Sequence, residues 1–567
     1  MPSPLDRETP RCPLCAMDCP IGVQHDGLGH VSTAFPSDLG VNQGACVRGL
    51  TAARLLDAAE RIFSARKGDE RKSASVVLQE LVQAGSQAVP SSVTVLVDLG
   101  RPLEGALAAA ALCQAGGARF AASVPPEDMA LVKSGLTRCP PFGEIAGCTL
   151  LLAIGDPFGS HPAVAGRVRD AQFGGRGNKL ISLDTAWGRT SRGATEAMTV
   201  SPLKLAAFMA ALAVECGAGN VAEALGGKNS QEICNAAGIP PAQVKRLAAQ
   251  LKEAKALGII LSHPVGRYAH GAAVAAAVGQ MAAALKAKAW PLLVSTNSAV
   301  LPRLKQKFGA AELSDVLRDA DAGRLKVLLV AGVDLASVLP EKLWRHMAEE
   351  CDLVCWAGSL ESPFAEEAEM VLPLALPWEE DGTALGPTGE PARFAPWLEK
   401  PSTVLTVKEL MAELFALAAG WSLKAPEVAD LMSVTVPEPV LTDLIGPSIL
   451  AAGQPEEGQA VVIGSPEPHG YTGGISLADV DWQRRLAAEE KAKLSSDLAA
   501  DLGLSEAGLV ELRNGAEATV VCAPAGGGEG RVIALPSHWQ SLRELLQWRA
   551  ADGSIEPCPA LVSIERV

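Results

Sequence analysis

The sequence predicts an α/β protein that ends in a small β-barrel, and three observations predict it. Short, continuously apolar runs alternate with longer amphipathic or alanine-rich segments, the pattern of strands buried in parallel sheets between helices. Most of these runs end in a polar or glycine-bearing turn, where open parallel sheets hold their ligands. Beyond about Lys424 the sequence becomes rich in Pro, Ala and Glu, and short strand-like segments follow it.

In chain order, the first element is a set of four cysteines. Cys12, Cys15, Cys19 and Cys46 are separated by two, three and twenty-six residues. Three thiolates within eight residues can wrap three corners of a cube, and a fourth brought from a separate hairpin closes it, as in Cys₄ ligation of a [4Fe–4S] cluster. The alternatives are a structural zinc site and unrelated buried thiols. Zinc usually takes two pairs of closely spaced ligands, whereas these divide three and one.

The apolar runs come next. Strands are expected at 92–97, 149–154, 179–183, 257–261, 291–295, 326–330 and 353–356. The segments 106–112, 205–214 and 272–285 are apolar but shorter than the roughly 18 residues of a membrane span, and read as buried helices. Unusual residues gather where strands end. Gly155, Asp156 and Pro157, then Ser160, His161 and Pro162, follow one strand; Asp184 and Thr185, with Arg189 and Thr190 beyond, follow the next. Gly332 and Asp334, then Gly358 and Ser359, repeat the logic later in the chain. Glycines there permit close approach to a phosphate, and an acidic side chain suits ribose or guanine donors, although each turn alone reads equally as turn chemistry. In the C-terminal region, 498–503, 508–512, 518–521 and 531–535 are expected as barrel strands, with Gly-rich 525–530 as a hairpin tip.

Composition excludes several classes. With 20% charged residues and a formal net charge of −15, a nucleic-acid partner is not expected. The N-terminus has no apolar run before Cys12, and thirteen cysteines, many beside aliphatics, fit a reducing compartment, so a cytoplasmic location is expected. No glycine-rich nicotinamide or flavin fingerprint follows a strand.

Taken as an ordered set, these features resemble the molybdopterin oxidoreductases that bind bis(molybdopterin guanine dinucleotide), such as formate dehydrogenases, and their relative, the large iron–sulfur subunit of respiratory complex I. The likeness runs from 41–49 around Cys46, through Gly155–Pro162, Asp184–Thr190 and Asn297–Ser298, to 379–393 (EEDGTALGPTGEPAR) with Gly382 and Thr383, and to 498–510. The resemblance implies a four-part shell: a [4Fe–4S] domain over 1–65, one α/β dinucleotide domain over 66–140 and 325–423, a second over 141–324, and a linker with a C-terminal β-barrel over 424–567. It implies a molybdenum or tungsten pterin held at both strand-end regions, a small-molecule substrate with formate first, and an electron-transfer partner subunit of iron–sulfur, flavin or ferredoxin type.

The departures bear on catalysis. Active relatives coordinate the metal with a Cys, selenocysteine, Ser or Asp at about the position of Cys139, which lies 93 residues after Cys46. Here Pro140 and Pro141 follow it, and Gly155 comes only sixteen positions later. Cys139 thus reads either as a soft metal ligand or as a small core residue. Arg48 stands where most catalytic relatives carry a lysine between cluster and pterin, and the two cations do not hydrogen-bond alike. His263 and His270 flank a turn resembling the family's substrate-funnel segment. Glu379, Glu380 and Asp381 read as a solvated or nucleotide-contacting loop. The alternative function is an electron-transfer or scaffold subunit that keeps the cluster and lacks the pterin.

Overall fold

The computed structural model describes residues 12, 14–17, 19–25, 31–34, 46–56, 58–262, 266–451, 453–467, 491–551 and 554–567. The chain starts with a hairpin, β1 (Gly22–His25) and β2 (Val31–Ala34), and a second hairpin, β3 (Ala65–Lys67) and β4 (Glu70–Lys72). It then forms β5 (Val93–Asp98) and β6 (Arg119–Ser123). Next come the strands of a five-stranded sheet: β7 (Leu150–Ile154), β8 (Lys179–Asp184), β9 (Glu196–Thr199), β10 (Leu257–Ser262) and β11 (Lys288–Leu292). The chain returns to the earlier sheet with β12 (Val327–Ala331), β13 (Leu353–Gly358) and β14 (Met370–Pro373).

The five-stranded sheet is wholly parallel in the order β11-β10-β7-β8-β9. The seven-stranded sheet runs β4-β3-β14-β13-β12-β5-β6, parallel from β14 to β6, with the hairpin β3–β4 added antiparallel at one edge. Strand order therefore reverses direction between β7 and β10 in one sheet and between β5 and β12 in the other. At such a switch point the two crossover connections diverge and leave a crevice beyond the carboxyl ends of the strands. All of β7, β10, β12 and β13 is buried, which explains why these strands read as continuous apolar runs.

The apolar segments are the buried helices Leu103–Gly116, Leu205–Glu215 and Gly271–Leu285. The second of these has nine buried residues in succession from Leu205 to Ala213, so it is apolar on every side because it is covered on every side. A hairpin, β15 (Gly382–Leu385) with β16 (Pro391–Phe394), follows β14.

The C-terminal part is a closed barrel of β17 (Gln459–Ser465), β18 (Ala492–Leu494), β19 (Gly508–Arg513), β20 (Glu517–Pro524) and β21 (Val532–Pro536), after which β22 (Gln547–Ala551) and β23 (Ser554–Cys558) form a separate hairpin and β24 (Ala560–Arg566) closes the barrel. Two expectations fail here. Residues 498–503 are not a strand but belong to the Ser496–Asp501 helix and its exit, because Leu498, Ala499 and Leu502 recur at helical spacing and pack on the barrel core. Residues 525–530 are not a hairpin tip, since β18 lies between β20 and β21; Gly527 instead abuts Trp187, where a side chain would collide with the indole ring.

One strand is displaced from its expected place. β11 covers 288–292 rather than 291–295, because the backbone N–H groups of Val294 and Ser295 leave the sheet and donate to the Asp128 carboxylate at 2.7 and 2.9 Å. β11 is an edge strand, which lets it contain Pro291 without losing a ladder bond. No described helix is long and apolar enough to cross a membrane.

Candidate functional site

Cys12, Cys15, Cys19 and Cys46 line one recess, together with Arg48, His161, Pro162 and Ala163. The Cys12 thiol is pushed well above its usual range by burial and further by each of the other three cysteines, which lie within electrostatic reach of it. The four thiols share the recess without converging on one point: among the described residues, no group of three or more His, Cys, Asp or Glu side chains is arranged to hold a metal ion. The donor set suits a cluster, in which each thiolate takes its own iron. The expected segment 41–45 before Cys46 lies outside the described residues, as does His263.

Arg48 joins this recess to the first crevice. Its guanidinium is buried and donates to the Ser160 carbonyl at 2.8 Å, the Gly159 carbonyl at 3.3 Å and the Glu467 carbonyl just beyond β17 at 2.7 Å. A planar fork can span three carbonyls from separate parts of the chain, which an ammonium cannot do with the same geometry. The Glu467 side chain in turn accepts from Arg189 at 3.4 Å and from Lys493.

The first crevice is built on the turn after β7 and the end of β10 at Ser262. Gly155 has φ +81°, and a Cβ there would lie 2.7 Å from the Ser262 carbonyl and strike the Tyr268 hydroxyl, so only glycine closes this turn. Asp156 accepts from the Arg189 and Thr190 amides at 3.0 and 2.8 Å and from the Thr190 hydroxyl at 2.6 Å, and Pro157 opens the next helical turn. His161 donates from Nε2 to the Leu293 carbonyl at 2.8 Å, so its Nδ1 accepts from the Ser160 hydroxyl at 3.0 Å, and Ser160 is 2.7 Å from Ser262. Burial pushes His161 down to about 4, and the Arg48 charge adds to this, so the imidazole is neutral at pH 7.

Asp184 at the end of β8 is held by Arg267, with Nε–Oδ1 at 2.9 Å and Nη2–Oδ2 at 2.5 Å, while Arg267 Nη1 reaches the Gly464 carbonyl of β17 at 2.7 Å. Thr185 is buried, and its hydroxyl has no hydrogen-bond partner among the described residues.

The second crevice lies beyond β5 and β12. Arg101 donates to the Ala375 carbonyl at 2.7 Å, to Ser359 Oγ at 3.1 Å and to the Glu380 carboxylate, while its Nε is buried without a partner. Gly332, at φ +89°, lies so close that a Cβ would sit 2.5 Å from that Nε. Burial raises Asp98 to about 6 and Glu380 to about 7; Arg101 counteracts both. Asp334 caps the following helical turn through Ala336 N at 3.1 Å. Asn297 bridges the Arg101 carbonyl at 2.8 Å and the Leu385 amide at 2.8 Å. Gly382 packs on Pro102, and Thr383 donates to Glu104 through its amide at 2.9 Å and its hydroxyl at 2.7 Å.

Of the solvated or nucleotide-contacting loop expected at 379–381, solvation is corrected at two of its three positions. Glu379 and Glu380 are buried ion-pair partners of Arg61 (2.5 Å) and Arg101, and only Asp381 is exposed. Cys139 is buried beside Phe142 and Trp290; its thiol donates to the Pro387 carbonyl at 3.5 Å, and burial pushes it up to about 12. His270 caps the Gly271–Leu285 helix in the left-handed region, at φ 56°.

Sequence reading missed Asp98, Arg101, Arg61 and the pairing role of Arg267. The signal for Arg101 was present, since Leu99–Gly100 is a glycine-bearing turn after a strand like the others.

No family model and no curated protein matches the sequence. The fold does have a match. Acetylene hydratase from Pelobacter acetylenicus aligns over 99% of this chain and 100% of its own, with a TM-score of 0.71 and 12% identity. The two chains share a fold over their whole lengths.

Proposed function

We propose that the chain is a molybdopterin-type oxidoreductase subunit. In this reading Cys12, Cys15, Cys19 and Cys46 hold one [4Fe–4S] cluster, and the two crevices hold bis(molybdopterin guanine dinucleotide) with molybdenum or tungsten. The observation that carries it is the recess where the four cysteines meet Arg48 and His161 beside the turn after β7. A bound metal pterin supplies two-electron chemistry, and the cluster passes electrons singly.

The chain's own residues have separate tasks. Arg48 supplies a fixed positive charge beside thiolates whose accumulated negative charge is otherwise unfavourable. His161, neutral and hydrogen-bonded at both nitrogens, holds the turn against the Leu293 strand end. Among the described residues, the Thr185 hydroxyl and Arg101 Nε are buried polar groups without a hydrogen-bond partner that could meet a nucleotide; Asp156, Asp184, Asn297 and Thr383 are committed to the protein and shape the crevices rather than grip a ligand. Cys139 is the thiol offered to the metal, and ligation would remove the proton it now donates to Pro387. His270 stands at the N-terminal end of the Gly271–Leu285 helix.

Formate is the proposed substrate, oxidised to carbon dioxide with release of one proton and two electrons. Those electrons pass to a partner subunit of iron–sulfur, flavin or ferredoxin type, in a cytoplasmic setting. The test is metal and pterin analysis of chain purified without oxygen. About four irons with molybdenum or tungsten and extractable pterin support the reading. Iron with neither heavy metal nor pterin leaves an electron-transfer subunit, and zinc in place of iron overturns both.

A further inference from the structure

A further cleft, with a volume of about 620 Å³, is lined by residues that include Arg138, next to Cys139, and Ala299, two residues beyond Asn297. Its floor is the end of the Pro126–Ser134 helix and the start of the Leu301–Phe308 helix, and one wall is the proline-rich strap at 436–439. The size lies within the range of small-molecule pockets. The walls are apolar at Val132, Leu301 and Val436, while Lys133, Arg138, Arg303 and Lys305 bring positive charge.

The charges are not balanced inside the cleft. Lys305 is consumed by Glu312 at 2.8 Å, and Glu312 is further engaged in capping the next helix. Arg138 and Arg303 have no ion-pair or hydrogen-bond partner among the described residues, and Arg303 Nε is buried with its N–H unmet. The two guanidinium groups repel each other, and Glu438 on the strap is the remaining acidic group of the lining. The Leu301–Phe308 helix also starts without a side-chain cap or an acidic residue in its first turn, so its positive end adds to the field. Arg138 is exposed to solvent, so it can reach a ligand entering the cleft, and Arg303 is half-buried beside it.

We propose that this cleft binds a small organic anion, with a carboxylate or phosphate head between Arg138 and Arg303 and an apolar body against Leu301 and Val436. A fork-shaped guanidinium matches either head with paired hydrogen bonds. The inference goes beyond the redox reading and stands without it.

The experiment is calorimetric titration of the full chain at low salt with phenyl phosphate, benzoate, inorganic phosphate and neutral benzamide. Saturable binding of phenyl phosphate or benzoate is expected, at least tenfold weaker in Arg303→Gln and in Arg138→Gln and unchanged in Arg176→Gln, an exposed arginine elsewhere. The stronger of the two aromatic anions identifies the head group, and benzamide should not bind. Phenylglyoxal labelling of the wild-type chain, read by mass spectrometry, needs no variant: phenyl phosphate should protect Arg138 and Arg303 and leave Arg176 reactive. Equal binding of benzamide, affinity unchanged in both cleft variants, or no protection of either arginine would overturn the proposal.

Discussion

At the scale of single residues, several buried charges are paired across long stretches of chain. Arg267 and Asp184 make a two-pronged bond at almost no exposure, and Arg267 also reaches the barrel through Gly464. Removing one partner leaves a buried charge uncompensated, which costs about 3–5 kcal/mol. Arg267→Ala should therefore lower stability by that amount in denaturant titration, and a loss below about 1 kcal/mol would mean that water reaches Asp184. Cys139 makes a second prediction. With its thiol at about 12, roughly one molecule in ten thousand carries the thiolate at pH 8, and the thiolate is the reactive form. Cys139 in metal-free native chain should resist iodoacetamide at pH 8, as peptide mass spectrometry would show; rapid labelling would contradict its burial. The four N-terminal cysteines were legible because ligand spacing is a local property of sequence. The pairings of Arg101 and Arg267 were not, since their partners Glu380 and Asp184 lie 279 and 83 residues away.

At the scale of elements, the strand runs were readable because both faces of each parallel sheet are covered. Boundaries moved where a side chain outcompeted the ladder. Asp128 is the clearest case: it takes the amides of Val294 and Ser295 and the Ser298 hydroxyl, and so ends β11 early. Burial raises Asp128 to about 7 despite those bonds, against an ordinary value near 3.9. Between these values the native state holds a proton that the unfolded chain has released, so this contribution to stability declines as pH rises from about 4 to about 7. Stability measured across pH 5 to 8 should fall less steeply in Asp128→Asn than in wild type. Some slope should remain, because Glu380 and Asp98 are raised in the same direction. An identical slope in variant and wild type would remove Asp128 from the account. The 498–503 segment was misread for a related reason. Six residues hold too little periodicity to separate a helical turn from a short strand, and only packing on the barrel core decides between them.

At the scale of the whole molecule, the two sheets bring together segments far apart in the chain, with β5 paired to β12 in one and β7 paired to β10 in the other. Each sheet has a switch point, where parallel sheets leave a crevice, and Arg48 links the cysteine recess, the turn after β7 and the end of β17. That convergence of three regions on one guanidinium is the centre of the account, and the fold shared with acetylene hydratase extends over the same full length. Sequence gave no view of it, because the contacts span 111 to 419 residues. The most direct measurement is electron paramagnetic resonance of the full chain, purified without oxygen and reduced with dithionite, as wild type and as Cys46→Ala. The account predicts the signal of a reduced [4Fe–4S] cluster in the wild type, lost or converted to a three-iron signal in the variant. Zinc bound by the cysteines in place of iron, or a cluster signal unchanged by Cys46→Ala, would contradict it.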